Sequence, residues 1–134
     1  MQSIKSKEFE IESSSDWNEI SRNIQQGALK VIKLFGANAR RSSAKFYICI
    51  NTDVRYFSQG RLIDTRIRDL HTNLGETLIE LKDLKSYVED YIDMLQEFCE
   101  GNNKGAIGSC GTFESVDSFE IIVCKPVGHL WFSN

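Results

Sequence analysis

Cys110 stands in Gly108-Ser109-Cys110-Gly111, a setting of small residues where a thiolate could act as a nucleophile if His71 or His129 served as its base. Nothing in the spacing brings either histidine to it. His71 follows Asp69-Leu70 and reads as a turn residue; His129, between Gly128 and Leu130, reads as a strand or surface residue. The glycines from Gly101 to Gly111 invite a phosphate-loop reading, but they depart from Gly-x-x-x-x-Gly-Lys-Ser/Thr and follow a helix pattern instead of preceding one. A flexible connector is the better reading. For metal ions the sequence has no Cys-x-x-Cys, His-x-x-x-His or His-Glu-x-x-His spacing, and Cys124 with His129 makes only a two-ligand match. Neither an enzyme activity nor a cofactor is expected, and a Cys110-dependent reaction is the alternative that catalysis would require.

Charge carries more information than any of these motifs. Residues 37 to 68 hold seven basic and two acidic side chains, whereas residues 69 to 124 hold three basic and twelve acidic ones, within a net charge of −3. In the basic stretch Arg40, Arg41, Lys45, Arg55, Arg61, Arg66 and Arg68 interleave with Phe46, Tyr47, Tyr56 and Phe57. Basic strands with outward aromatics bind single-stranded nucleic acid by neutralising phosphates and stacking bases. Here Phe46 belongs to the alternating core set, the aromatic order matches no RNP pattern, and the isoelectric point is near 5.4. Solvated strand faces and ion pairs with the acidic helix account for the arginines more simply.

That helix spans about Leu81 to Glu100. At 100° per residue, Leu81, Leu84, Tyr87, Val88, Tyr91, Ile92, Met94, Leu95, Phe98 and Cys99 fill one arc. Asp83, Glu89, Asp90, Asp93, Glu97 and Glu100 fill most of the other, diluted only by Lys82 and Lys85. A polar helix face is usually only solvated. Ordinary exposed faces mix signs, however, and like charges spaced as Glu89-Asp93-Glu97 cost about 0.2–0.5 kcal/mol per pair. A cationic partner relieves that repulsion, and a field of one sign speeds its arrival.

The elements that must position these residues follow from periodicity and punctuation. Ile4, Phe9 and Ile11 among charged neighbours predict a strand suited to a sheet edge. Asp16 with Glu19 has capping-box spacing and should open a helix that runs to a C-cap at Gly27. Residues 28 to 35 fit either a continued helix or a buried strand; β-branched Val31-Ile32 and Gly36 favour the strand. A polar turn over 36–43 leads to strands at 45–51 and 54–57, separated by a turn at Asn51-Thr52-Asp53. A further turn at 58–60 precedes a strand carrying Ile63, Thr65 and Ile67. After a break at 73–75, the acidic helix and the 102–111 loop, strand-like composition returns at 113–125 and 127–132. The order β-α-β-β-β-β-α-β-β predicts an α+β fold, a mostly antiparallel sheet packed against two helices in a single pair of layers.

At 134 residues the chain is sized for one domain over 1–134, with 41% apolar and 26% charged residues as in globular proteins and no run long enough to span a membrane. The first residues lack the apolar core of a secretory signal, so a cytoplasmic location with reduced cysteines is expected. A small domain without a catalytic constellation, carrying an acidic helix that ends in Glu97-Phe98-Cys99-Glu100, resembles in type the immunity proteins of bacterial toxin systems, including contact-dependent growth inhibition. The resemblance implies a non-enzymatic inhibitor whose partner is a cognate basic toxin domain, a nuclease, with no membrane or nucleic-acid ligand. Its contact residues would be Asp83, Glu89, Asp90, Asp93, Glu97 and Glu100, with Tyr87 or Tyr91 as an aromatic anchor. A nucleic-acid-binding module using residues 40–68 and a secretion chaperone remain as alternatives.

Overall fold

The computed structural model describes residues 3–68, 78–101 and 111–125. Strands β1 (Ser3–Ser14), β2 (Lys45–Ser58), β3 (Arg61–Ile67), β4 (Leu78–Glu80) and β5 (Thr112–Lys125) form one antiparallel sheet, and helices α1 (Trp17–Lys33) and α2 (Leu84–Glu100) cover one of its faces. The fold is α+β, as its periodicities predict. The sheet runs β1-β5-β2-β3, with β4 paired to the first residues of β2. Because β1 and β2 each pair antiparallel with β5 between them, they run parallel to each other, joined across the helical layer by α1.

Helix α1 begins where expected. Asp16 Oδ1 accepts from the backbone N–H of Asn18 at 2.9 Å and of Glu19 at 3.4 Å. It does not stop at Gly27, and residues 28–33 are helix instead of strand. Ile20, Ile24, Gly27, Ala28, Val31 and Ile32 form one buried stripe at helical spacing, so burial outweighs the strand preference of Val31-Ile32. Gly27 serves close packing: a Cβ there would lie 2.7 Å from the Phe119 ring and 3.2 Å from Phe9. The helix ends before Gly36, whose φ of 99° suits a residue without a side chain. The 36–43 segment is less exposed than a simple turn, for it contains a 3-10 turn over Ala37–Arg40 with Ala39 fully buried.

The turn expected at 51–53 is absent, and β2 is a single 14-residue strand. Its turn-forming residues are held in the ladder by side-chain partners: buried Asn51 donates to Glu120 at 3.0 Å, and buried Thr52 shares a 2.7 Å hydrogen bond with the Tyr91 hydroxyl. The turn at 58–60 is real: Gln59 (φ 53°) and Gly60 (φ 77°) link Ser58 to Arg61 in a two-residue hairpin with both central φ angles positive. The core lies between sheet and helices, where Phe46, Ile48, Ile50, Val54, Phe119, Ile121 and Val123 meet the buried residues of α1 and α2. The other face of the sheet carries no helix among the described residues. His71, His129, Cys110, the 102–110 loop and the strand expected at 127–132 lie outside the described residues.

Candidate functional site

The acidic helix starts later than its pattern suggests, because Leu78–Glu80 joins the sheet and Leu81–Asp83 forms a 3-10 turn ahead of α2. Its apolar arc packs as expected: Leu84, Val88, Tyr91, Ile92, Leu95 and Cys99 are buried, and Tyr87 and Phe98 half-buried. Met94 departs from that arc at 40% exposure. Tyr91 is wholly buried with its hydroxyl on Thr52, so it is a strut between α2 and the sheet and no anchor for a partner. Tyr87 stays half-exposed, its hydroxyl 3.5 Å from the Ile48 carbonyl.

Asp83, Glu89, Asp90, Asp93, Glu97 and Glu100 are all exposed. Lys85 reaches Glu89 only at 4.0 Å, whereas Asp83, Asp90, Asp93 and Glu100 have no ion-pair partner among the described residues. The row also runs to the negative end of the helix dipole, and the last turn of α2 has no basic residue. Sequence and helix dipole therefore add to the same negative potential.

The basic segment is arranged the opposite way. On the helix-free face Arg66 meets Asp53 through two bonds, Nε to Oδ1 at 2.8 Å and Nη2 to Oδ2 at 3.0 Å. The same guanidinium reaches Glu8 at 2.7 Å and Glu120 at 3.4 Å, so one side chain on β3 ties together β2, β1 and β5. Arg55 pairs with Asp64 at 2.8 Å and Asp117 at 3.5 Å. Arg55 and Arg66 are thus neutralised by strand carboxylates, not by the acidic helix, which the sequence offered as a partner beside solvent. The Arg66 bond holds the Asp53 carboxyl below its usual range against the opposing effect of burial, with Ser118 assisting. Arg40, Arg41, Lys45, Arg61 and Arg68 are exposed.

No protein-family model and no curated protein matches the chain. Among solved structures it is similar to nucleotide-free acetone carboxylase, at 13% identity with a TM-score of 0.32, over 95% of this chain and 17% of that one. The chain thus spans under a fifth of that protein's length, and a likeness so loose carries no argument about function.

Cys49, Cys99 and Cys124 carry free thiols. Burial, then the charge of Glu100, pushes the Cys99 thiol up to about 12, and burial also raises Cys124, which disfavours the thiolates that nucleophilic catalysis needs. No group of three potential metal ligands occurs among the described residues. No described helix is long and apolar enough to cross a membrane. One feature had no signal in the sequence: a groove between α1 and α2 is lined by Trp17, Arg22 and Gln25 from one helix and Glu89, Asp93 and Gln96 from the other. Pattern alone assigns the polar face of α1 to solvent, because which helices lie side by side is a tertiary fact.

Proposed function

We propose that this chain is a non-enzymatic binding protein of the toxin-immunity type, which docks a cationic partner domain on the outer face of α2 and thereby neutralises it. The observation that carries the reading is the unequal treatment of charge: Arg55 and Arg66 of the sheet have carboxylate partners within the fold, while Asp83, Asp90, Asp93 and Glu100 have none among the described residues. A nuclease toxin fits as partner because an enzyme that grips phosphates presents lysines and arginines at its substrate surface, which a carboxylate row can occupy in place of nucleic acid. Half-exposed Tyr87 sits beside the row as an amphipathic contact. The nucleic-acid reading has less behind it, since Arg55 and Arg66 are already engaged.

The test is co-purification with a basic nuclease domain encoded beside this chain, followed by calorimetry. Asp93→Lys with Glu97→Lys should weaken binding by about a hundredfold or more, as expected for reversing two contacts in a charged interface. An unchanged dissociation constant removes α2 as the docking face.

A further inference from the structure

We infer that β3, one edge of the sheet, pairs antiparallel with β3 of a second copy of this chain, joining two five-stranded sheets into one across a two-fold axis at Thr65. This surface is separate from α2 and stands whether or not that helix docks a partner. Ser58 and Arg61 flank a two-residue loop and so exchange both backbone hydrogen bonds. Alternation then turns the N–H and C=O of Arg61, Ile63, Thr65 and Ile67 toward β2. Those of Leu62, Asp64 and Arg66 turn outward, where no backbone partner meets them among the described residues.

Every open sheet has such edges, and charge usually blunts them; the two edges here differ in that respect. Residues directly opposite in an antiparallel pair share a face, so a two-fold contact between copies is centred on a residue, not between two. On β1, centring at Lys5, Lys7, Glu8 or Glu10 sets that charge against itself. Centring at Ser6, Phe9 or Ile11 sets Lys5 against Lys7, Glu8 against Glu10, or Glu10 against Glu12. Each of these registers opposes like charges, which disfavours it. On β3, centring at Thr65 sets Asp64 against Arg66 of the second copy and Arg66 against Asp64 of the second copy, and these are residues whose backbone groups already face outward. Half-buried Ile63 comes opposite Ile67 on the helix side, a β-branched pair of the kind that stabilises sheets. Asp64 is exposed beside Arg55 and is open to a second cation. Centring at Asp64 or Arg66 opposes like charges, and centring at Ile63 runs the ladder into the Gln59-Gly60 turn, so the strand selects one register.

The experiment is sedimentation of the full chain at rising concentration, with a limiting mass of two 15.3 kDa chains expected. Asp64→Arg sets like charges against each other twice across the axis and should raise the dimer dissociation constant by about tenfold or more, with circular dichroism to confirm the fold. Register is read by cysteine trapping with oxidised glutathione as the electron acceptor. Thr65→Cys lies opposite itself at the spacing of a disulfide and should crosslink the two copies at that position. Leu62→Cys, at an exposed site away from the axis, should not. A chain that stays monomeric, assembly beyond two copies, a folded Asp64→Arg with an unchanged constant, or trapping by Leu62→Cys as fast as by Thr65→Cys each overturns the pairing. Should Asp64→Arg fail to fold, the trapping decides alone.

Discussion

The helix-free face of the sheet and the outer face of α2 both bring carboxylates close together, yet they resolve the repulsion in opposite ways. On the sheet, Glu8, Asp53 and Glu120 converge from three strands, and Arg66 from a fourth stands among them. On α2, acids at i,i+3 and i,i+4 spacing share an exposed face, and Lys85 comes within 4.0 Å of Glu89 while Asp83, Asp90, Asp93 and Glu100 have no ion-pair partner among the described residues. Charge that serves the fold is paired within the fold. Like charge at a helix surface, extended into the negative end of the dipole, costs a little stability.

Removing the hub of the sheet network should have the largest effect. Arg66→Met leaves three carboxylates facing one another and should cost about 1–3 kcal/mol in urea unfolding, toward the lower end because the side chain is a third exposed. A loss below experimental error would mean that the network is only surface ornament and that the two faces do not differ. Asp53→Asn should cost less, since Arg66 keeps Glu8 and Glu120, and it isolates a pH dependence. The folded pKa of Asp53 lies below its ordinary 3.8, so protons favour the unfolded chain. The stability from this contact is complete above about pH 4 and is lost as the pH falls through the lowered folded value. Acid unfolding curves of the natural protein should therefore be steeper below about pH 4 than those of Asp53→Asn; superimposable curves would deny the pair its role.

Smaller effects are expected on α2, and of the opposite sign. Asp90→Asn with Asp93→Asn should stabilise the isolated protein by about 0.2–0.5 kcal/mol per like-charge contact relieved, read as a small rise in urea midpoint. Destabilisation there would show that the row has compensating contacts. The least change is expected when salt is raised to about 1 M: it should screen the row on α2 and leave the short Arg66–Asp53 pair nearly intact, so unfolding of the natural protein should shift little, while binding to the basic partner proposed above should weaken.

Much of the architecture was legible beforehand because it rests on local chemistry. The Asp16 cap, the Gln59-Gly60 hairpin and the buried stripe of α2 follow from side-chain oxygens, positive φ angles and 3.6-residue periodicity, which the chain carries within a few residues. The errors share one cause. Gly27 looked like a helix end and Asn51-Thr52-Asp53 like a turn because those residue types usually have such local roles. In the fold Gly27 is small to admit Phe119, while Asn51 and Thr52 are polar to meet Glu120 and Tyr91. Each partner lies more than 35 positions away in sequence, beyond the reach of any window.

The α+β order of elements and the outward carboxylates of one helix are written locally, because amphipathic period and charge sign belong to the segment that carries them. Which of those charges are answered depends on how the layers pack. Strand order brought Arg66 to Asp53, Glu8 and Glu120 and kept it from α2, and the packing of α1 beside α2 opened the groove behind Glu89 and Asp93. Compensation depends on distances between residues far apart in the chain, and those distances exist only once the layers have assembled.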